Sequence, residues 1–158
     1  FSGREIICRW RRYCQPNKEV ALLSDPELLK RAAEAKEMAY APYSGYRVGA
    51  ALLCNDGSVV TGCNVENISF GATICAERCA VVKAVSEGKR DFKKIAISVS
   101  GDEIGFPCGI CRQLISEFAK GDFEFVCANN KGEFKKFTLS QLMPHGFYSN
   151  LKKETNNG

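Results

Sequence analysis

Residues 46–63 read YRVGAALLCNDGSVVTGC, two β-prone runs (46–54 and 58–63) around Asn55-Asp56-Gly57. An Asn/Asp-Gly pair between such runs is a strong short-range hairpin signal, because the tight turn needs backbone angles that these residues tolerate. Other elements can be placed outward from the hairpin. Upstream, Ser24 and Glu27 have capping-box spacing with Pro26 in the first turn, and Leu28, Leu29, Ala32, Ala33, Ala35 and Ala39 follow at roughly helical spacing. This predicts a helix to about Tyr40, stopped by Pro42 and Gly45. Downstream, 64–74 reads as a loop, and Cys75 to Glu87 as a helix closed at Gly88. Lys94–Ser100 reads as a strand and Gly109 to Lys120 as a helix closed at Gly121. Phe123–Ala128 is a strand, 129–132 a turn, Glu133–Thr138 a weaker strand and Leu139–Met143 a short final helix. The order helix, hairpin, helix, strand, helix, strand, strand predicts an α/β fold, a three-layer α/β/α sandwich with a central mixed five-stranded sheet.

A chain of 158 residues is one domain's worth, here 24–150, between an N-terminal tail (1–23) expected to be flexible and a C-terminal tail (151–158). The composition, 45% hydrophobic and 25% charged, is that of a soluble globular protein. No run of about 18 or more apolar residues offers a membrane span. Much of the net charge of +4 sits in Arg4, Arg9, Arg11, Arg12 and Lys18 of the tail, whereas a nucleic-acid footprint needs basic residues gathered on a folded face. No nucleic-acid partner is therefore expected. Nine cysteines would suggest a disulfide framework in a small secreted domain. Against that, the apolar stretch Ile6-Ile7-Cys8 is broken at once by Arg9, too short for a signal peptide, and three cysteines fall in motifs with another explanation. An Arg-rich start could be an organelle-targeting remnant, but Glu5 and Glu19 argue against it, and the expectation is a reducing, cytoplasmic setting.

The explanatory motifs are Cys75-Ala76-Glu77 and Pro107-Cys108-Gly109-Ile110-Cys111, each where a loop feeds a helix. Helix N-termini carry partial positive charge and stabilise thiolates, the form that binds metal. Cys108 and Cys111, one helical turn apart, can face a common point, and Cys75 can supply a third sulfur from the other helix start. Three protein ligands leave a position for water, which separates catalytic from closed structural zinc sites. Zinc lowers the pKa of such a water to about 7, and a neighbouring carboxylate, here Glu77, can take and return its proton. A CxxC alone could equally be a redox pair or half of a structural site, but a redox pair leaves Cys75 and Glu77 unexplained. A structural site needs a fourth ligand, for which Cys79 and the lone histidine, His145, are the competitors; Cys79 reads better as a buried small hydrophobe and His145 as a loop residue.

The same residues follow the general zinc-deaminase pattern of His or Cys, then Glu, then Pro-Cys-x-x-Cys. Over about residues 28–150 the sequence resembles the cytidine deaminases, specifically their small, homotetrameric, all-cysteine branch. The likeness runs in order through Tyr40-Ala-Pro-Tyr-Ser44, Val48-Gly-Ala-Ala51, Gly62-Cys-Asn-Val-Glu-Asn67, Cys75-Ala-Glu-Arg78, Ala84-Val-Ser-Glu-Gly88, Pro107-Cys-Gly-Ile-Cys-Arg-Gln113 and Leu142-Met-Pro-His-Gly-Phe147.

The resemblance implies a Zn²⁺ held by Cys75, Cys108 and Cys111, hydrolytic deamination of cytidine and deoxycytidine by zinc-activated water attack at C4, and Glu77 as proton shuttle in pyrimidine salvage. It implies that Asn64 and Glu66 hydrogen-bond the ribose 3′-hydroxyl, that Tyr46 flanks the base where the family usually has Phe, and that the Ala76 backbone holds the pyrimidine. Arg78 resembles an arginine that donates to the metal-bound thiolates, offsetting their excess negative charge. Phe70 and Phe147 match aromatic positions that complete a neighbouring subunit's pocket in a homotetramer. Phe106, where Ser is frequent, and Ile110, where Ala is common, are departures that affect pocket detail. The resemblance leaves two other readings to be weighed, a deaminase of polynucleotide or of a nucleoside-like antibiotic, and a zinc-stabilised interaction module.

Overall fold

The computed structural model describes residues 23–147, with the side chains of 120–122 excepted. The expected tails, apart from Leu23, lie outside the described residues, as do 148–150. No described helix is long and apolar enough to cross a membrane. The elements are α1 (Asp25–Lys36), β1 (Val48–Cys54), β2 (Val59–Cys63), a 3-10 turn (Phe70–Ala72), α2 (Ala76–Ser86), β3 (Phe92–Val99), α3 (Gly109–Ser116), β4 (Ala119–Ala128), β5 (Phe134–Thr138) and α4 (Leu139–Leu142). The sheet order is β2-β1-β3-β4-β5. The β3–β4 pair is parallel and the other three pairs are antiparallel, so the sheet is mixed as expected.

Strand alternation sorts the core onto two faces. Ala50, Leu52 and Cys54 of β1, Ile95, Ile97 and Val99 of β3, and Phe123, Phe125 and Cys127 of β4 pack with Ala80, Val81 and Ala84 of α2 and Ile115 of α3. Ala51, Leu53, Ala96 and Val126 face the other way, onto Leu28 and Ala32 of α1. Both faces are covered, which is why β1 and β3 read as near-continuous apolar runs. This is the three-layer sandwich; among the described residues α1 covers one side and α2 and α3 the other.

Helix and strand meet at close quarters where the sequence has no side chain. A Cβ at Gly49 of β1 would lie 2.0 Å from the Ala32 carbonyl oxygen of α1, and one at Gly62 of β2 would lie 2.5 Å from the Ala80 nitrogen of α2. These clashes are with helix backbone, which cannot rotate aside as a side chain can. Gly62→Ala is therefore expected to destabilise the fold by about 3 kcal/mol, at the upper end of overpacking effects. Chemical denaturation would detect this as a lowered midpoint, and an unchanged midpoint would show that α2 can shift freely on β2.

Several boundaries differ from the sequence expectation. The capping box of α1 is present, with Glu27 N–H donating to Ser24 Oγ and Ser24 N–H to Glu27 Oε2, but the helix ends at Lys36 rather than near Tyr40. There the amides of Glu37, Met38 and Ala39 tighten onto carbonyls three residues back, and Tyr40 exchanges backbone hydrogen bonds with Asn64 and Glu66. That pairing draws the chain out of the helix. The strand expected from Tyr46 begins at Val48, because the Asn64 side chain takes the Tyr46 carbonyl and the Val48 N–H. The helix expected from Gly109 to Lys120 stops at Ser116, and Gly121 lies inside β4, not at a helix end. Ala119 pairs instead with Phe92, and the Phe118 ring packs on the Phe92 ring with centroids 5.5 Å apart. By contrast, Gly88 follows α2 with φ +85°, as its position predicts.

Candidate metal centre

Helices α2 and α3 start at the same end of the sheet. Cys75 is the N-cap of α2 and Cys108 the N-cap of α3, and neither sulfur caps its own helix. Each thiol is thus free to point across the gap, in the positive field of a helix N-terminus. Cys75 Sγ lies 3.8 Å from Cys108 Sγ, and Cys108 Sγ lies 3.5 Å from the buried Cys111 Sγ. The three ligand atoms all fall within 4.8 Å of one another. Among the described residues, neither Cys79 nor His145 joins this group, so the two competitors for a fourth ligand are set aside.

The opposite shifts of Cys75 and Cys111 fit a site that would hold a dication. The Cys111 thiol, hydrogen-bonded to Cys75, brings the latter down to about 5 against the opposing effect of burial, with Cys108 and Arg78 assisting. Cys111 moves upward, because it keeps its proton toward Cys75, is buried, and lies near Glu77. One thiolate forms readily, while further negative charge in so small a space is resisted. A Zn²⁺ ion removes that resistance, and thiolate sulfur is a preferred ligand for it. Arg78 supplies further compensation on one side. Its Nη2 donates to the Thr73 carbonyl at 2.7 Å, while its buried Nε has no hydrogen-bond partner. An orphaned cationic donor beside Cys75 fits an anionic metal–thiolate cluster.

Glu77, in the first turn of α2, is only 4% exposed. Burial lifts its carboxyl to about 7. Glu77 lines a cavity of about 290 Å³ together with Cys75, Cys108, Ala76, Tyr46 and Glu66. That volume lies at the small end of the range for small-molecule sites. Asn64 also lines it, with its Oδ1 accepting from Val48 N–H and its Nδ2 donating to the Tyr46 carbonyl, both at 2.8 Å. Glu66 accepts from the Tyr43 and Ser44 amides and from the Ser44 hydroxyl. Tyr46 lies across Gly101, where an added Cβ would come 3.0 Å from its Cε2.

Of the residues singled out from sequence, the fold brings Cys75, Cys108, Cys111, Glu77, Ala76, Tyr46, Asn64 and Glu66 to one place, with Arg78 behind the thiols. Phe70 and Phe147 do not line this cavity; their side chains are exposed, at 76% and 80%. Two further contributors, Ser44 and Thr73, have no role assigned from sequence, and Phe106 is noted there only as a departure affecting pocket detail. Ser44 and Thr73 line the cavity, and Phe106 forms a wall braced against Phe137, with ring centroids 5.1 Å apart. Gln113 holds the Phe147 backbone through both its N–H and carbonyl, and Arg112 ties the Pro107 and Leu142 carbonyls together. Both residues belong to the Pro107–Gln113 motif that carries the resemblance, which assigns them no role of their own.

Comparison with known proteins points the same way. Residues 23–127 match the model of the cytidine and deoxycytidylate deaminase zinc-binding region. A cytidine deaminase from Halalkalibacterium halodurans is 47% identical over 120 residues, covering 76% of this chain and 91% of that protein. One from Sporosarcina psychrophila is 44% identical over 121 residues, covering 77% and 89%. The crystal structure of cytidine deaminase from Burkholderia pseudomallei superposes with a TM-score of 0.73 at 43% identity, covering 76% of this chain and 96% of that one. With three thiols converging at two helix N-termini over a buried glutamate, the chain belongs to the zinc-binding cytidine and deoxycytidylate deaminase family.

Proposed function

We propose that the protein hydrolyses cytidine and deoxycytidine to uridine and deoxyuridine, releasing ammonia, within pyrimidine salvage. The observation that carries this reading is a buried carboxyl, Glu77, that lines a small cavity with Glu66, Tyr46 and two of the three convergent thiols, Cys75 and Cys108. Zinc held by Cys75, Cys108 and Cys111 would lower the pKa of the attacking water to about 7. Glu77 takes one proton from that water as oxygen bonds to C4 and delivers it to N3. The second water proton leaves on the amino nitrogen as the C4–N bond breaks, again through Glu77. Burial brings the protonated and ionised forms of this carboxyl close in energy near neutral pH, so it can both take up a proton and release it, as a shuttle must.

The remaining lining residues act by position. The Tyr46 ring flanks the base, and the Ala76 backbone holds the pyrimidine edge at the start of α2. Glu66 retains lone pairs for a sugar hydroxyl after its three contacts to the 43–44 turn. The Asn64 amide, although committed to Tyr46 and Val48, keeps one N–H and one lone pair for the same hydroxyl. Arg78 balances the thiolates. The free thiols suit a reducing, cytoplasmic setting.

Incubating the purified protein with cytidine, deoxycytidine, cytosine, adenosine, a nucleoside-like antibiotic and single-stranded DNA tests the substrate class. Loss of the cytosine absorbance band is expected with the two pyrimidine nucleosides alone. Turnover confined to DNA or to the antibiotic would reject the assignment.

We also infer a homotetramer with shared sites, since Phe70 and Phe147 are large, apolar and exposed outside the cavity of their own chain. Sedimentation velocity is expected to show a tetramer that loses activity on dissociation; a fully active monomer would overturn this.

A further inference from the structure

On the face of the sheet opposite the thiols, α1 and the β4–β5 hairpin enclose a second cavity of about 300 Å³. Leu29, Ala33 and Phe134 form its apolar wall, and Lys36 with Asn130 forms its polar end. Lys36 is only 8% exposed. Its Nζ donates to the Val99 carbonyl and to Asn130 Oδ1, both at 3.3 Å and both neutral acceptors. No described carboxylate pairs with it, and Asp25, at the start of the same helix, is occupied by Lys94 and Lys136. Lys30 adds a second positive charge to the cavity wall.

An ammonium group has three donors, and burying one without an opposite charge is costly. Lysine normally escapes that cost by extending its head to water. Here the root of the side chain is held, because α1 is pressed against β1 so closely that a Cβ at Gly49 would lie 2.4 Å from the Lys36 nitrogen. The head is turned inward to the Val99 carbonyl, leaving a donor and a net positive charge at the polar end of the cavity, opposite the apolar wall.

We propose that this cavity binds a small organic carboxylate, with its anionic group on Lys36 Nζ and its apolar body against Leu29, Ala33 and Phe134. The site is distinct from the metal centre, because the two cavities lie on opposite faces of β3. Crystals of the zinc-loaded, full-length protein soaked in 4-bromobenzoate are expected to show an anomalous bromine peak between α1 and the β4–β5 hairpin, and none with bromobenzene, the uncharged control. In solution, calorimetry should show saturable 4-bromobenzoate binding that Lys36→Met weakens by about tenfold or more, as loss of a charge-assisted hydrogen bond implies. Ala33→Phe, which fills the apolar wall, should abolish binding while zinc content and cytidine turnover are unchanged; it carries the test if Lys36→Met does not fold. Equal binding of bromobenzene, a bromine peak only at the metal centre, absence of binding in solution, or unchanged affinity in Ala33→Phe would overturn the proposal.

Discussion

Replacing Glu77 with glutamine is expected to lower cytidine turnover by about 10³-fold, within the range general acid–base groups supply, with zinc content unchanged. The substitution is nearly isosteric, which matters because Glu77 is buried at 4% exposure against the first turn of α2. Burial already favours an uncharged side chain there, so a neutral amide adds no desolvation cost and the fold should be retained. What disappears is the ability to accept a proton from water and return it to the base. The decisive measurement is turnover alongside metal analysis on the same preparation. Near-normal turnover would remove Glu77 from the reaction, and loss of zinc would make it part of the metal-holding structure instead.

Cys111→Ala is expected to have an effect of comparable size by a different route, removing both zinc and activity. Cys111 is fully buried in the first turn of α3 and contributes a sulfur 3.5 Å from Cys108 Sγ. Its loss leaves two ligands, too few for a stable tetrahedral site. Cys79→Ala is the matched control, because Cys79 lies one turn along α2 outside the group of three sulfurs, and it should retain zinc and turnover. Arg78→Gln lies between these extremes. It removes the charge beside Cys75 but no ligand, so metal affinity under chelator challenge should fall by about 10- to 100-fold, as for other residues supporting metal ligands. Full zinc occupancy in Cys111→Ala, or zinc loss in Cys79→Ala, would require a different ligand set.

Features encoded within a few residues are legible in the amino-acid sequence alone. The capping box at Ser24 and Glu27, the Asn55-Asp56-Gly57 turn and the glycine after α2 are short-range arrangements, and each occurs where the sequence places it. The two-residue gap in Cys108-Gly109-Ile110-Cys111 is equally local. One helical turn is enough to bring those sulfurs together.

Long-range contacts decided the rest. Nothing near Lys36 ends α1; the pairing of Tyr40 with Asn64 and Glu66, more than twenty residues later, draws the chain away. Residues 117–120 are compatible with a longer α3, but Ala119 is captured by Phe92 on β3. Asn64 reads as a turn residue or a ligand contact, whereas in the fold its amide also joins Tyr46 and Val48. The metal centre combines both kinds of information. The sequence by itself determined the ligand chemistry, three thiols with a carboxylate and an arginine nearby, because residue types and helix-start spacing are local properties. Only the tertiary structure decided that Cys75 meets Cys108 at 3.8 Å, and that Lys36 is closed into a separate hollow. Those outcomes depend on which face of the sheet each helix covers and on two glycines that let helix backbone lie directly on strand, and residue spacing alone carries neither.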